Sequence, residues 1–150
     1  MESKSKVYLY QTVVKWTEQR KGMISCAGKP DVEVATPPEF KGHENIWSPE
    51  DLFVASANVC LMTTFLAVAE RAGLAFSSYE STAEGRLELV EGKFQFTAIT
   101  IRPSITLKPG GDAAKAKELI EKAEHNCLIS NSMKAEVTLE PVIRWQTVAQ

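Results

Sequence analysis

The strongest hydrophobic pattern of the chain covers residues 48–73, where apolar residues occur on every side of a predicted helix. Ser48 is a suitable N-cap, Pro49 suits the first helical position, and Gly73 marks the end. The apolar residues of this segment are Leu52, Phe53, Val54, Val59, Leu61, Met62, Phe65, Leu66 and Val68. A helix without a polar face is expected to be buried on every side. We therefore predict a long buried core helix here, rather than a membrane span.

Short strand patterns precede this helix. Val7–Trp16 is rich in Val, Tyr, Thr and Trp, and Met23–Cys26 and Val32–Ala35 are two further strand candidates. A polar turn at residues 18–22 follows the first of them. Residues 36–47 contain Pro37, Pro38 and Gly42, and should form a loop that leads into the helix. The first 35 residues are therefore predicted to form a small meander of strands.

A regular alternation of polar and apolar residues follows the helix, over residues 80–89. Such alternation predicts a strand with one solvated face and one buried face. A turn at residues 91–93 leads into a second β segment, Phe94–Leu107. Pro103 stands inside this segment, and it should bend the strand, interrupt it or place it at an edge.

A second helix and a last strand complete the pattern. Asp112 is a suitable N-cap for a helix over Ala113–His125, and Ala135–Val148 is a strand candidate that Pro141 should bend or interrupt. The predicted order is β-β-β-α-β-β-α-β, without an internal repeat or a linker. This order predicts one α+β domain over residues 1–150, with antiparallel sheets packed around the long buried helix.

Composition and charge narrow the class of protein. A hydrophobic fraction of 44% and a charged fraction of 24% are ordinary for a soluble globular chain, and a net charge of −2 offers no basic surface to nucleic acid. The three cysteines, Cys26, Cys60 and Cys127, are odd in number and widely spaced, unlike a secreted disulfide framework. We expect a cytoplasmic protein with reduced or redox-active thiols, and with no nucleic-acid or membrane partner.

Cys60, in the middle of the long helix, has two interpretations. It is a small hydrophobic residue of the core, or it is a thiolate nucleophile. A nucleophile needs a lowered pKa, and the positive end of its own helix lies roughly 16 Å away, too far to supply it. A cation from another segment is therefore required, and Arg20 on the polar turn is one candidate among several.

Other constellations are weaker. Cys127 could pair with Cys60 as an attacking and a resolving thiol, but sequence cannot show that the two are close. Cys26, His43 and His125 could join them in a zinc site, although no paired ligand spacing occurs. The sequence lacks the G-x-S-x-G motif of a serine hydrolase and the glycine-rich loop of a phosphate site.

Two motifs resemble segments of the OsmC/Ohr family, the osmotically induced and organic hydroperoxide resistance proteins. Residues 48–55 followed by Cys60 resemble its "PEELL-A-A-x-x-x-C" segment, and residues 127–131 resemble its "C-P-x-S-N/R" segment. The turn around Arg20 occupies the place of a Gly-Gly-Arg-x-Gly-like turn. Leu128 stands where the family often has proline, and Glu18-Gln19 stand where it has two glycines.

The resemblance implies an OsmC-like fold and a thiol peroxidase without a cofactor. Cys60 would attack a small organic hydroperoxide and become a sulfenic acid, which Cys127 would resolve as a disulfide. An external dithiol would reduce that disulfide. Arg20 would stabilise the Cys60 thiolate, and Glu50 would hold Arg20. The resemblance also implies an intertwined homodimer with its sites at the subunit interface.

The spacing of Glu50 and Cys60 adds a prediction about that dimer. On one straight helix they stand roughly 15 Å apart, too far for one arginine to bridge easily. We therefore predict that the Glu50 serving a given Cys60 comes from the partner chain. The alternative function is a non-enzymatic dimeric module of the same fold that binds a redox partner or a small molecule. Cys26 is predicted to be structural.

Overall fold

The structure, a computed structural model, describes residues 5–147, and the chain divides between Leu52 and Phe53 into two compact units. The first unit contains an antiparallel sheet with its strands in chain order, β1 (Val13–Glu18), β2 (Lys21–Ser25) and β3 (Val32–Ala35). The predicted meander is therefore confirmed. The single domain over residues 1–150 stays a prediction.

The first strand is shorter than its composition predicted. β1 begins at Val13 rather than at Val7, and Val13 stands opposite Ser25, the last residue of β2. The ladder thus ends where its partner strand ends, and the side chains of residues 7–10 are exposed. The predicted loop contains a single 3-10 turn, Pro38–Phe40.

Helix α1 (Pro49–Ala72) has the predicted ends. The Asp51 N–H donates to Ser48 Oγ at 3.1 Å, and the Ser48 N–H and O–H both donate to Asp51 Oδ2 at 2.9 Å. This reciprocal arrangement is a capping box in which the aspartate side chain accepts the hydrogen bond from the N-cap residue. At the other end Gly73 has a φ of +68°, a left-handed conformation that favours glycine and ends the helix.

Helix α1 is not buried on every side, so that prediction was wrong for a single chain. Its buried residues lie on one face: Ala57, Cys60, Leu61, Phe65, Val68 and Ala69. Val59 and Leu66 are 54% and 40% exposed. Composition could not reveal the exposed face of α1, because it does not specify how many faces of a helix the rest of the same chain covers. By length and composition alone α1 could cross a membrane, a test that a soluble core helix also passes.

The second unit contains a mixed sheet. β4 (Phe76–Val90) and β5 (Lys93–Leu107) form a long antiparallel hairpin, whereas β6 (Glu136–Leu139) and β7 (Val142–Trp145) both pair with β5 in parallel. The prediction of antiparallel sheets is confirmed for β4 and β5 but was wrong for β6 and β7. Between β5 and β6 the chain crosses back through helices, and such a crossover leaves the next strand parallel. The α+β class is confirmed.

Two helices form that crossover. α2 (Ala113–His125) begins at its predicted cap, where the Lys115 N–H donates to Asp112 Oδ1 at 3.1 Å. The single turn α3 (Leu128–Asn131) follows directly. α1, β5 and α2 supply most of the core of the second unit: Ala57, Leu61, Phe65, Val68, Ala69, Ile99, Ile101, Ile105, Leu107, Ala116, Leu119, Ile120, Ala123 and Ala135.

The two prolines act differently. β5 runs through Pro103 without a break, because β6 pairs with residues 98–101 and β7 with residues 104–107. Pro103 lies between these pairings, so neither parallel ladder needs the N–H that proline lacks, while β4 pairs across it with Ser81 opposite Pro103. Pro141 separates β6 from β7, as predicted. Val148, the end of the predicted last strand, lies outside the described residues.

Candidate functional site

Two cysteine thiols interact in the second unit. Cys60 lies on the buried face of α1, and Cys127 directly precedes α3. Both are buried free thiols. Burial raises the pKa of the Cys127 thiol, hydrogen bonding with Ser130 lowers it, and the neighbouring Cys60 raises it again. The fold therefore brings together two cysteines from distant parts of the sequence.

A serine and a glutamate adjoin the Cys127 thiol. The Ser130 hydroxyl donates to Cys127 Sγ at 3.4 Å, and it also lies 3.5 Å from Glu124 Oε2, to which it can donate instead. Burial raises the pKa of the Glu124 carboxyl, and the Ser130 hydroxyl partly offsets this. Thiol, hydroxyl and carboxylate thus form a row that starts at Cys127 and ends in the last turn of α2.

Tyr79 of β4 borders the same thiol. Its ring stacks on Phe65 with centroids 5.4 Å apart. Its hydroxyl is buried and has no hydrogen-bond partner in the described part of the chain. Burial raises the pKa of the Tyr79 phenol, the nearby Ser81 hydroxyl lowers it, and Cys127 raises it. Tyr79 therefore places a buried hydroxyl in the neighbourhood of Ser81 and Cys127.

Hydrogen bonds fix the segment of α1 that carries Cys60. Asn58 Nδ2 donates to the Ser81 carbonyl at 3.3 Å, and the Ser81 hydroxyl donates to Asn58 Oδ1 at 2.5 Å. This pair ties α1 to β4 half a turn before Cys60. One turn later, Thr64 Oγ1 lies 3.9 Å from Cys60 Sγ. The thiol thus sits on a helix whose position against the sheet is set by specific polar contacts.

Arg20 and Glu50 both belong to the first unit. Arg20 lies after β1, and its Nη1 donates to the Phe40 carbonyl at 2.7 Å. Glu50 is in the first turn of α1, and its Oε2 is buried without a hydrogen-bond partner among residues 5–147. Within those residues of one chain, Arg20 and Glu50 form no salt bridge with each other. Their predicted roles stay predictions.

Within residues 53–147, no cation is among the groups that act on the Cys127 thiol. The polar neighbours recorded there are Cys60 and Ser130 for Cys127, and Thr64 for Cys60. A buried thiol without a nearby cation stays protonated and unreactive at neutral pH. The second unit therefore supplies the paired thiols but not the charge that would activate them.

Metal chemistry has little support in the described residues. No group of three or more His, Cys, Asp or Glu side chains between residues 5 and 147 is placed to hold a metal ion. Cys26 lies in the first unit at partial exposure, whereas Cys60 and Cys127 are buried in the second. The zinc alternative thus lacks a ligand cluster in this structure.

Sequence reasoning missed Glu124 and Tyr79. Glu124 lies within the predicted second helix and was given no role, and Tyr79 precedes the segment in which the alternation occurs. A local signal existed for Glu124, because it stands three residues before Cys127 at the end of a predicted helix. Tyr79 had no such signal, since only the tertiary fold brings it to the thiol.

Comparison with known proteins agrees with the two motifs. A family model described as OsmC-like protein matches residues 42–142. The chain is 31% identical to the uncharacterized protein YmaD of Bacillus subtilis over 110 residues, which are 71% of this chain and 73% of that protein. It is 31% identical to a protein of Escherichia coli named peroxiredoxin OsmC over 101 residues, 67% of this chain and 69% of the relative.

A solved structure supports the fold. An OsmC-like protein of unknown function from Vibrio cholerae superimposes with a TM-score of 0.84 at 23% identity, covering 91% of this chain and 100% of that one. The family match contains Glu50, Cys60 and Cys127, and Arg20 precedes it. The matched range spans most of the chain and includes both cysteine motifs. The chain therefore belongs to the OsmC-like protein family.

Proposed function

We propose that this protein is a cysteine-based peroxidase that reduces organic hydroperoxides. The observation that carries the proposal is the interaction of two buried thiols, Cys60 and Cys127, which come from distant segments. A relative named peroxiredoxin OsmC supports the same chemistry. Both thiols are buried, and a buried apolar site suits an alkyl peroxide better than hydrogen peroxide.

The proposed reaction has three steps. The Cys60 thiolate attacks the distal oxygen of ROOH, the O–O bond breaks, and the alcohol leaves while Cys60 becomes a sulfenic acid. The Cys127 sulfur then attacks the Cys60 sulfur, which forms a disulfide and releases water. An external dithiol reduces the disulfide and restores both thiols.

Activation of Cys60 is assigned to Arg20 and Glu50. An arginine beside the Cys60 thiol would favour the thiolate. A buried carboxylate oxygen without a partner, as in Glu50, is unfavourable unless a donor reaches it. We assign that donor to Arg20, with the Glu50 serving a given Cys60 contributed by the partner subunit.

A homodimer completes this proposal. Val59 and Leu66 leave an apolar strip of α1 exposed in one chain. The exposed side chains of residues 7–10 are also apolar or aromatic, and a second copy could cover both. The dimer would place both predicted sites at the subunit interface.

Light scattering tests the dimer. We expect the wild type to have twice the mass of one chain, and Leu66→Glu to shift the protein to single chains because the new charge would be desolvated at the interface. Leu89→Glu is the matched control, since Leu89 is exposed beside the turn of the β4–β5 hairpin. A wild type of single-chain mass would contradict the dimer.

Peroxide consumption with a dithiol reductant tests the enzyme. We expect the wild type to consume cumene hydroperoxide faster than hydrogen peroxide. Cys127→Ser should oxidise once per chain, accumulate sulfenic acid and lose steady turnover by at least about tenfold, because no second thiol forms the disulfide. A wild type that consumes neither peroxide would favour the non-enzymatic binding module instead.

A further inference from the structure

The resolving thiol, Cys127, has a chemical difficulty that the proposed function leaves open. It must lose its proton to attack the Cys60 sulfenic acid, yet burial raises its pKa and no cation of the second unit contacts it in the described structure. A thiol in this state is a poor nucleophile at neutral pH. The second step of the reaction therefore needs a proton acceptor near Cys127.

The described side chains around Cys127 provide one hydrogen-bonded route by which that proton could leave. The groups that face the thiol are Cys60 from α1, Tyr79 from β4 and Ser130 from α3. Cys60 is the electrophile of this step. The phenol of Tyr79 keeps its proton at neutral pH, because the pKa of a phenol lies far above 7 even without the effect of burial. Among the groups that face the thiol in residues 5–147, Ser130 is the one that leads onward to a base, since its hydroxyl lies 3.5 Å from Glu124 Oε2.

We propose that Glu124, acting through the Ser130 hydroxyl, is the general base that takes the proton of Cys127 during disulfide formation. This inference rests on the proposed peroxidase function. Ser130 has one hydroxyl hydrogen, so when it donates to Glu124 its oxygen is free to accept from the thiol. Hydrogen bonds of this kind are often long before the reacting complex forms.

The step balances. The Cys127 proton moves to Ser130 Oγ while the Ser130 proton moves to Glu124. The Cys127 sulfur attacks the Cys60 sulfur, the S–S bond forms and the S–O bond breaks. Hydroxide leaves and takes a proton from solvent to become water, and Glu124 returns its proton to solvent. Cys127 is oxidised and the Cys60 sulfenic acid is reduced to the disulfide.

The placement of Glu124 favours this role over a structural one. Its carboxylate is partly buried, and burial opposes its charged form. The described ion pairs do not include it, and its described side-chain hydrogen bond is with Ser130. A desolvated carboxylate with a raised pKa is a stronger base than a solvated one, which suits proton abstraction from a thiol.

Rapid-quench kinetics separates the two steps. Reduced protein is mixed with an equimolar amount of cumene hydroperoxide, sulfenic acid is trapped with dimedone, and the disulfide is followed by mass. Glu124→Gln keeps the shape and the acceptor oxygen, and Ser130→Ala removes the relay. Both should form sulfenic acid at the wild-type rate and close the disulfide about 10- to 100-fold more slowly at pH 7. The double variant should be no slower than either single one.

The pH profile distinguishes a base from a packing residue. In Glu124→Gln the disulfide rate should rise in proportion to hydroxide and approach the wild-type rate at high pH, where Cys127 ionises unaided. Glu121→Gln, an exposed carboxylate on the same helix, should leave both steps unchanged.

The outcomes are separable. Wild-type disulfide rates in Glu124→Gln at every pH would overturn the relay and leave the peroxidase standing. Equal slowing of sulfenic acid formation would also overturn it, because a structural defect would then be the cause. A wild type whose thiols do not react with the peroxide would overturn the proposed function, and the relay with it.

Discussion

Replacing Cys60 by serine is expected to lower the rate of cumene hydroperoxide consumption more than about a thousandfold. A serine hydroxyl is hardly ionised at neutral pH, and its oxygen cannot pass through a sulfenic acid or a disulfide. The substitution removes one sulfur atom from a buried position, so the fold should persist. The measurement is steady-state consumption with a dithiol reductant, together with the loss of free thiols per chain.

Cys26→Ser is the control for that experiment. Cys26 is partly exposed and lies in the first unit, in the segment between β2 and β3. The Cys26→Ser variant is expected to retain full activity and the same number of peroxide-reactive thiols in the second unit. Full activity in Cys60→Ser, or an equal loss in Cys26→Ser, would contradict the assignment of Cys60 as the nucleophile.

The ends of α1 could be predicted because their signals are local. Ser48 caps the helix through Asp51, three residues away, and Gly73 ends it with a positive φ. The burial of the helix was overestimated for a physical reason. An apolar composition indicates that every face of the helix is unfavourable in water. It does not indicate whether the same chain or a second chain covers each face. In this chain Leu66 is exposed.

Most of the features that the sequence did not predict depend on contacts between segments that are distant along the chain. The parallel pairing of β6 and β7 with β5 depends on the path of the crossover helices, which residue patterns do not encode. The pairing of Cys60 with Cys127 entered the sequence argument through the resemblance, and spacing alone left it open. Tyr79 reaches the thiol only through tertiary packing.

The Cys60 segment and the core are also coupled, because the same face of α1 carries both. Leu61 and Phe65 follow Cys60 on that face and are fully buried. Phe65 in turn contacts the ring of Tyr79, which borders Cys127. Weakening the core of the second unit should therefore affect the thiol site as well as the fold.

Phe65→Ala is expected to lower the free energy of unfolding by about 3–5 kcal/mol. The Phe65 ring packs against Phe76 at 5.4 Å between centroids and 63° between planes, and against Tyr79 at 5.4 Å and 28°. Alanine would leave a void that neighbouring rings on a hydrogen-bonded hairpin cannot fully close. Such a loss is a large share of the roughly 5–15 kcal/mol that stabilises a typical domain.

Urea denaturation at one fixed protein concentration measures this loss, because association would otherwise shift the apparent stability. Leu89→Ala is the matched control, since Leu89 stands near the end of β4 and is 63% exposed. It should lower the free energy of unfolding by less than about 1 kcal/mol. Equal losses in the two variants would mean that burial against Phe76 and Tyr79 is not what makes Phe65 important. A large loss confined to Phe65→Ala would show that the core depends on the buried face of α1, which also carries Cys60.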